Sequence, residues 1–457
     1  MTRGSRLKTS LAVLLLGASG CKRAPPPEEW GGEVVEWMDP SFEDPEPEVS
    51  EPEAIFEPLR TPPRASNFLV LGGGGEPASN EIALEKNVLY FQRTLQSLGL
   101  APESASIYFA NGTDGKATVR YRAGDKRARD SFKSLEIPHL KGAATLEHFL
   151  EWLEDKARNA PERPVFLYFT GHGGMNGNNL NNNHLALWDS DTLTVRAFGL
   201  FLGRLPSTTP VVTMMSQCYS GSFANFIYQD ANPRRPVVAQ PRCGFFATVE
   251  YLPSVGCTPE VDEADYRDYS SSFFAGLAGV SRTGSAVASA DHDGDGRVSY
   301  AEAHAFAKVD GETTDLPIST SEAWLQRRVR GVDMRAFLSK PILDVSRTGR
   351  PEQRYVVESL VRRLGFVAER SWLDNLQAVE LKTEEREADA MRLRMELLNI
   401  GMEHKVRAAG SAPALAVLER LLQCERGSWD SPPGAAPAPV PASPSAASQD
   451  HDKGNAT

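Results

Sequence analysis

Val165-Phe166-Leu167-Tyr168-Phe169-Thr170-Gly171-His172-Gly173-Gly174 and, further along, Val211-Val212-Thr213-Met214-Met215-Ser216-Gln217-Cys218-Tyr219-Ser220-Gly221 decide how this chain folds. Each begins as a short apolar run without polar alternation, the length of one buried strand, and stops at a glycine-bearing turn. Such runs belong in a parallel sheet covered on both faces. Working outward, Asn67–Leu71 is a third run, ending in Gly72-Gly73-Gly74-Gly75, and Ala105–Ala110 is a fourth. Between them lie helical patterns. Leu84, Val88, Phe91, Leu95 and Leu98 recur at helical spacing and stop at Gly99; Leu146, Phe149, Leu150, Leu153 and Ala157 follow Thr145, a ready N-cap; Val195–Leu205 gives another. A further strand is predicted over Phe245–Val249 and a helix over Ser271–Leu277. Strand alternating with helix predicts an α/β fold with a mostly parallel central sheet flanked by helices. The four glycines are not a phosphate cradle, since GxGxxG and a following Lys-Ser or Lys-Thr are absent and Glu76 would repel phosphate. They permit a tight turn and a close backbone approach at the sheet's carboxyl edge.

Reactive groups in open α/β sheets gather beyond the carboxyl ends of the strands. There the sequence puts His172 and Cys218. A thiol becomes a strong nucleophile when deprotonated, and a neighbouring imidazole takes its proton and returns it to a leaving amine. Gly173 and Cys218 offer backbone N–H groups to a developing oxyanion. Alone, a Gly-His-Gly turn is just a turn and a buried cysteine a small hydrophobe; both ending apolar strands, in this order, point to cysteine-peptidase chemistry.

These two strand ends resemble the signature of the caspase and legumain clan of cysteine peptidases, an apolar strand ending in His-Gly and another ending in Cys-x-Ser-Gly. The resemblance spans roughly residues 67–340 and is closest to the bacterial caspase-like group. It implies a caspase-like α/β sandwich, His172 as general base and acid, Cys218 as nucleophile, and Gly173 with Cys218 as oxyanion hole. The clan often carries an acidic or amide residue two before the cysteine, in the pocket for the residue preceding the cut. Here that residue is Ser216, which has no charge to select Arg or Lys. Asp262, Glu263 and Asp265 could supply the charge instead, or simply be a solvated run capping the next helix.

Asp291-His292-Asp293-Gly294-Asp295-Gly296-Arg297-Val298-Ser299-Tyr300-Ala301-Glu302 matches the twelve-residue EF-hand calcium loop at each ligand position. Asp291, Asp293 and Asp295 offer carboxylates, Arg297 its carbonyl, Ser299 a direct or water-bridged oxygen, Glu302 a bidentate carboxylate, and Gly296 the sharp turn. A helix is expected over Ala301–Ala307. Gly279 and Gly284 precede the loop and make a poor entering helix, so a lone Ca²⁺ loop is expected, structural or regulatory, with His292 and His304 as bystanders. No organic cofactor is implied.

The remainder sets location and partners. Arg3, Arg6 and Lys8, the apolar run Leu11–Leu16 and Ala18-Ser19-Gly20-Cys21 form a lipoprotein-type signal over residues 1–21 with Cys21 as the lipidation site, Ala18 departing from the preferred Leu; the run is too short to span a bilayer. Residues 22–66, rich in Pro and Glu, read as an extended tether, and 427–457, rich in Ala, Pro and Ser, as a tail. Between them lie the catalytic domain, 67–340, and a helical appendage, 341–426. With 49 Lys plus Arg against 60 Asp plus Glu the chain carries a net charge of −11 and shows no basic cluster, so nucleic acid is excluded as a partner. Protein or peptide substrates, and a bacterial envelope membrane reached through the lipid with the domain facing periplasm or exterior, are the expected partners. Five cysteines are too few for a disulfide scaffold. In an oxidising compartment Cys243 and Cys257 could pair, leaving Cys424 over. Two other readings share these residues: a non-catalytic calcium-binding lipoprotein that uses the fold to bind partners, and transpeptidase or amidase chemistry from the same dyad.

Overall fold

The computed structural model describes residues 66–124 and 129–429; the signal segment with Cys21, the tether to residue 65 and the tail from residue 430 lie outside the described residues. In chain order the strands are β1 (Asn67–Gly73), β2 (Ser106–Phe109), β3 (Val119–Tyr121), β4 (Ser131–Lys133), β5 (Leu140–Gly142), β6 (Val165–Gly171), β7 (Gly173–Gly174), β8 (His184–Ala186), β9 (Thr192–Thr194), β10 (Val211–Met215), β11 (Arg242–Phe246) and β12 (Ile318–Ser319). Seven form one sheet in the order β12-β11-β10-β6-β1-β2-β5, parallel except where β12 runs against β11. β1, β6, β10 and β11 are buried at every position, which is why their sequences carry no alternation. The strand expected from Phe245 starts earlier, at Arg242. The two-residue β12 and the small sheets β3–β4 and β7–β8–β9 escape sequence reading, because two or three residues hold no measurable period.

Helices α1 (Ile82–Ser97), α2 (Leu146–Asn159), α3 (Val195–Leu202), α4 (Tyr269–Ala278) and α5 (Tyr300–Asp310) cover the sheet. Successive side chains of a strand point to opposite faces, and β6 shows the result. Leu167 and Phe169 join Phe149 and Trp152 of α2 and Phe198 of α3 on one face. Phe166 and Tyr168 join Val88 and Phe91 of α1 and Phe273 and Phe274 of α4 on the other. Thr145 caps α2 as expected, its hydroxyl accepting from His148 N.

The C-terminal helices are α6 (Thr320–Gln326), α7 (Gly331–Leu338), α8 (Ile342–Ser346), α9 (Pro351–Leu364), α10 (Trp372–Ala378), α11 (Glu384–Ala409) and α12 (Ala412–Glu425). They are knitted into the sheet domain: Met395 and Met402 of α11 and Leu418 and Leu421 of α12 share a core cluster with Leu167 and Phe169. Lys308 of α5, fully buried, reaches Glu396 of α11 at 2.6 Å and also pairs with Glu322 of α6. Ordered chain also runs beyond the expected boundary at 426. Trp429 is 1% exposed, with its ring 5.3 Å from Phe68, 5.4 Å from Phe91 and 5.2 Å from Phe166.

The Cys243–Cys257 pairing left open by the sequence does not form. Cys243 is bonded to Cys424, with their Cα atoms 5.9 Å apart, and Cys257 is in no disulfide. Cys243 sits at the amino end of β11, where α12 packs, whereas Cys257 lies past the carboxyl edge of the sheet beside His172. The length of β11 separates the two thiols, so closeness in sequence misleads.

Candidate active site

The chain leaves β1 toward β2 on one side and returns with β6 on the other, so the order reverses between β1 and β6 and a crevice opens at their carboxyl ends. β6 and β10 are paired with Phe169 opposite Met215. His172 follows Phe169 by three residues and Cys218 follows Met215 by three, so the two leave adjacent strands, roughly 4.8 Å apart, at the same level. Gly173 makes this closeness possible: a Cβ there would fall 2.2 Å from the Cys218 carbonyl oxygen. Tyr219 then takes a left-handed conformation, φ 59°, rare for a residue with a side chain, and the chain turns directly into a 3-10 helix, Ser220–Ile227.

The glycine run after β1 acts as a saddle. Gly74 N–H donates to Asn80 Oδ1 at 3.2 Å, and a Cβ on Gly74 would lie 2.0 Å from Ser79 O. The saddle draws residues 79–81 across the crevice, where His172 Nε2 lies 2.9 Å from both Ser79 O and Glu81 Oε2. Burial alone would raise the Glu81 carboxyl, but the hydrogen bond and charge of His172, together with Arg120, hold it below the usual carboxylate range. Glu81 is therefore ionised and, like a carbonyl, can only accept. Nε2 carries the proton, and Nδ1 is left with its lone pair facing the thiol side of the site.

Cys257 stands there, its Sγ 3.8 Å from His172 Nδ1. Cys218, 7% exposed, has its sulfur 3.3 Å from the Ser254 N–H, which donates to it, and 3.6 Å from the Ser254 carbonyl, which accepts from the thiol. Ser254 Oγ donates to Asp315 Oδ2 at 2.8 Å and Val255 N–H to Oδ1 at 3.0 Å. Behind Glu81 an ion-pair chain continues outward through Arg120 (2.5 Å) to Asp130 (2.9 Å) and Arg122 (2.7 Å).

The other expected residues fall as follows. Ser216 Oγ donates to Phe169 O at 3.1 Å, so its hydroxyl is engaged between β10 and β6. Asp262 caps a short 3-10 turn by accepting from Ala264 N, and Asp265 lies exposed in that turn. Glu263 is ringed by Arg93 (2.7 Å), Lys86 (3.4 Å) and Arg282 (3.5 Å), along α1 away from Glu81. Its charge is spent on those cations. Glu81, Cys257, Ser254 and Asp315 were missed by sequence reading. A glutamate opening a helix is ordinary, and only the fold of the glycine saddle brings this one to the imidazole.

In the loop over residues 291–302, where calcium is expected from the sequence, the structure gathers Asp291, Asp293 and Glu302, one carboxylate oxygen from each lying within 4.8 Å of the others. Gly296 has φ +85°, the turn the loop requires. Asp291 accepts from the N–H groups of Gly294, Asp295 and Gly296, wrapping backbone around the centre. Asp295 is turned to Arg297, at 3.2 Å, and Ser299 exchanges hydrogen bonds with Glu302 to cap α5. Burial raises the Asp293 and Glu302 carboxyls, with nearby carboxylates adding to the rise. Crowded oxygens with too little positive charge fit a divalent cation. His304 lies elsewhere, buried against Glu322 and Tyr269, and His292 stacks on Tyr355 of α9 with centroids 3.9 Å apart.

No family model matches this chain, and no curated protein matches it. Among solved structures it is similar to caspase-1 from Spodoptera frugiperda, with 10% identity over 50% of this chain and 71% of that one and a TM-score of 0.27. At that level the likeness carries no functional weight, and the chemistry rests on the residues of the crevice.

Proposed function

We propose that this chain is a caspase-like cysteine endopeptidase, anchored through Cys21 to a bacterial envelope membrane and stabilised by Ca²⁺. The observation that carries the reading is the register: His172 and Cys218 leave neighbouring strands at the same level, with Nε2 committed to two acceptors and Nδ1 on the side where Cys257 lies 3.8 Å away.

In this reading Nδ1 takes the Cys218 proton and the thiolate attacks the scissile carbonyl carbon. The oxyanion settles on the N–H groups of Gly173 and Cys218. The imidazolium, stabilised by Glu81 and oriented by Ser79, then protonates the leaving amine as the C–N bond breaks and a thioester remains. A water that gives its proton to Nδ1 attacks the thioester, and Cys218 leaves as the thiol. Nearby Cys257 is a second thiol in the same field, so the enzyme needs reducing conditions for full activity. With Ser216 and Glu263 both engaged, selection for a basic residue before the cut has no free carboxylate among the expected residues.

Asp291, Asp293 and Glu302, with the Arg297 carbonyl and Ser299, would hold the calcium. Its role is structural: it relieves carboxylate repulsion at the start of α5, whose other end joins the buried ion pairs to α11. No catalytic step passes through it.

The test is the purified full-length protein, reduced, against a fluorogenic peptide library varying the residue before the cut, with and without calcium, beside Cys218→Ala. Turnover that disappears in Cys218→Ala is expected. No turnover from a folded protein in any condition would overturn the peptidase reading and leave the fold as a partner-binding scaffold.

A further inference from the structure

The loop carrying the nucleophile's hydrogen-bond partner is itself held by one buried carboxylate. Ser254 and Val255 sit on the segment between Leu252 and Cys257, outside regular structure. Their contact to the sheet domain near the site is with Cys218: Ser254 N–H donates to the sulfur at 3.3 Å, a bond that persists in the thiolate, while the Ser254 carbonyl accepts from the thiol at 3.6 Å only as long as the sulfur keeps its proton. On the other side Asp315, 1% exposed, accepts from Ser254 Oγ at 2.8 Å and Val255 N–H at 3.0 Å. Asp315 is in turn fixed from the C-terminal region. Arg392 of α11, 3% exposed, donates Nε to the Asp315 carbonyl at 2.8 Å and NH1 and NH2 to the Gly311 and Thr313 carbonyls, each at 2.7 Å. The path runs Cys218, Ser254–Val255, Asp315, Arg392.

We infer that Asp315 is a positioning residue for the nucleophile: by clamping Ser254 and Val255 it aims the Ser254 N–H at the Cys218 sulfur and so favours the thiolate. The inference deepens the proposed peptidase mechanism and rests on Cys218 being its nucleophile. Its physical basis is that a hydrogen bond donated to the charged form of a group stabilises that form. A free loop would take water as its partner instead, and the thiolate would lose a fixed donor in a site where little water reaches it. Only an amide already pointed at sulfur is useful, because reorienting it during the reaction would add to the barrier.

The charge environment agrees. Burial, with repulsion from Asp268, raises the Asp315 carboxyl, and with the hydrogen bonds from Ser254 and Val255 and the charge of Arg392 pulling the other way it still stands at about 7. A carboxyl so deeply buried is costly unless its donors are well made, and two of those donors are the loop residues beside the thiol. The titratable groups near the thiol itself are His172 at the end of β6, Glu81 behind that ring and Cys257 on the clamped loop.

The test reads the thiol rather than turnover. Rates of iodoacetamide alkylation at Cys218, mapped by peptide mass, are followed from pH 4 to 10 in the full-length protein. Asp315→Ala is expected to move the Cys218 titration upward by about one pH unit, so that alkylation below the midpoint is about tenfold slower. Asp315→Asn restores most of the wild-type profile, because its oxygen still accepts from Val255 and its amide can donate to Ser254 Oγ. Should Asp315→Ala not fold, Ser254→Ala removes one of the two contacts and is expected to show a smaller shift in the same direction. An unmoved thiol titration in these variants, with or without a fall in melting temperature, overturns the inference. If the titration shifts as expected but wild type cleaves no peptide, the clamp stands and the peptidase reading fails.

Discussion

Glu81→Gln isolates the electrostatic part of the proposed mechanism. The side chain keeps its shape, and Ser79 O still accepts from His172 Nε2 at 2.9 Å, so the ring keeps its tautomer and orientation. The roughly 10⁴-fold loss that follows when an imidazole loses its only orienting acceptor is therefore not expected. What disappears is a negative charge beside the imidazolium. With charge centres about 4 Å apart and an effective dielectric near 20, that attraction is about 4 kcal/mol. Arg120, 2.5 Å from the same carboxylate, offsets part of it, leaving roughly 2 kcal/mol. This corresponds to about a 30-fold fall in kcat/KM and an acid limb of the pH profile, set by protonation of the His172 base, about 1.5 units lower. The assay is kcat/KM from pH 4 to 10 on the best library substrate, with melting temperature as the control for folding. Arg120 retains Asp130 at 2.9 Å, so the variant should fold. Stability gives a second reading. Glu81 has its folded pKa below the ordinary 4.5, so its contribution is complete above pH 4.5 and is lost as pH falls through the lower folded value; the Gln variant lacks that acid-side loss. A kcat/KM within twofold of wild type with an unmoved acid limb would refute the reasoning.

Other perturbations follow from the packing. The Cys243–Cys424 bond spans 181 residues, so removing it as Cys243→Ser is expected to lower stability by about 5 kcal/mol at most and the melting temperature by roughly 5–10 °C, measured by calorimetry under non-reducing conditions. Trp429→Ala empties a site ringed by Phe68, Phe91 and Phe166, and chemical denaturation should show a loss of about 3–5 kcal/mol. Calcium at a hundred times its dissociation constant should stabilise the protein by about 2.7 kcal/mol, an effect absent in Asp293→Asn; equal melting with calcium and with chelator would remove the metal from the account.

Where the candidate site is legible in sequence, the signal is local and continuous. β6 and β10 stand out as unbroken apolar runs, and the groups just beyond them, His172 and Cys218, need no knowledge of distant partners. The expected calcium loop is equally local, since its candidate ligands alternate within one short segment. Glu81 was not legible, because its meaning depends on how tightly the glycine saddle folds residues 79–81 onto His172. Asp315 carries no local sequence signal, because its role depends on the Ser254 segment and Arg392 closing around it from distant parts of the chain. The disulfide went the same way: Cys424 reaches Cys243 only because α12 packs at the amino end of β11, a long-range fact that spacing does not encode. Trp429 sat in what read as a tail of small residues, and only the hole it fills between α1, α4 and the sheet reveals its place.

The proposed peptidase mechanism stands or falls on Cys218, not its neighbour Cys257, being the nucleophile. Its most direct test is to treat the reduced full-length protein with a peptidyl acyloxymethyl ketone and locate the adduct by tandem mass spectrometry, in wild type, Cys218→Ala and Cys257→Ala. A thioether is expected on Cys218 in wild type and Cys257→Ala and none in Cys218→Ala. An adduct on Cys257 that persists in Cys218→Ala would contradict it.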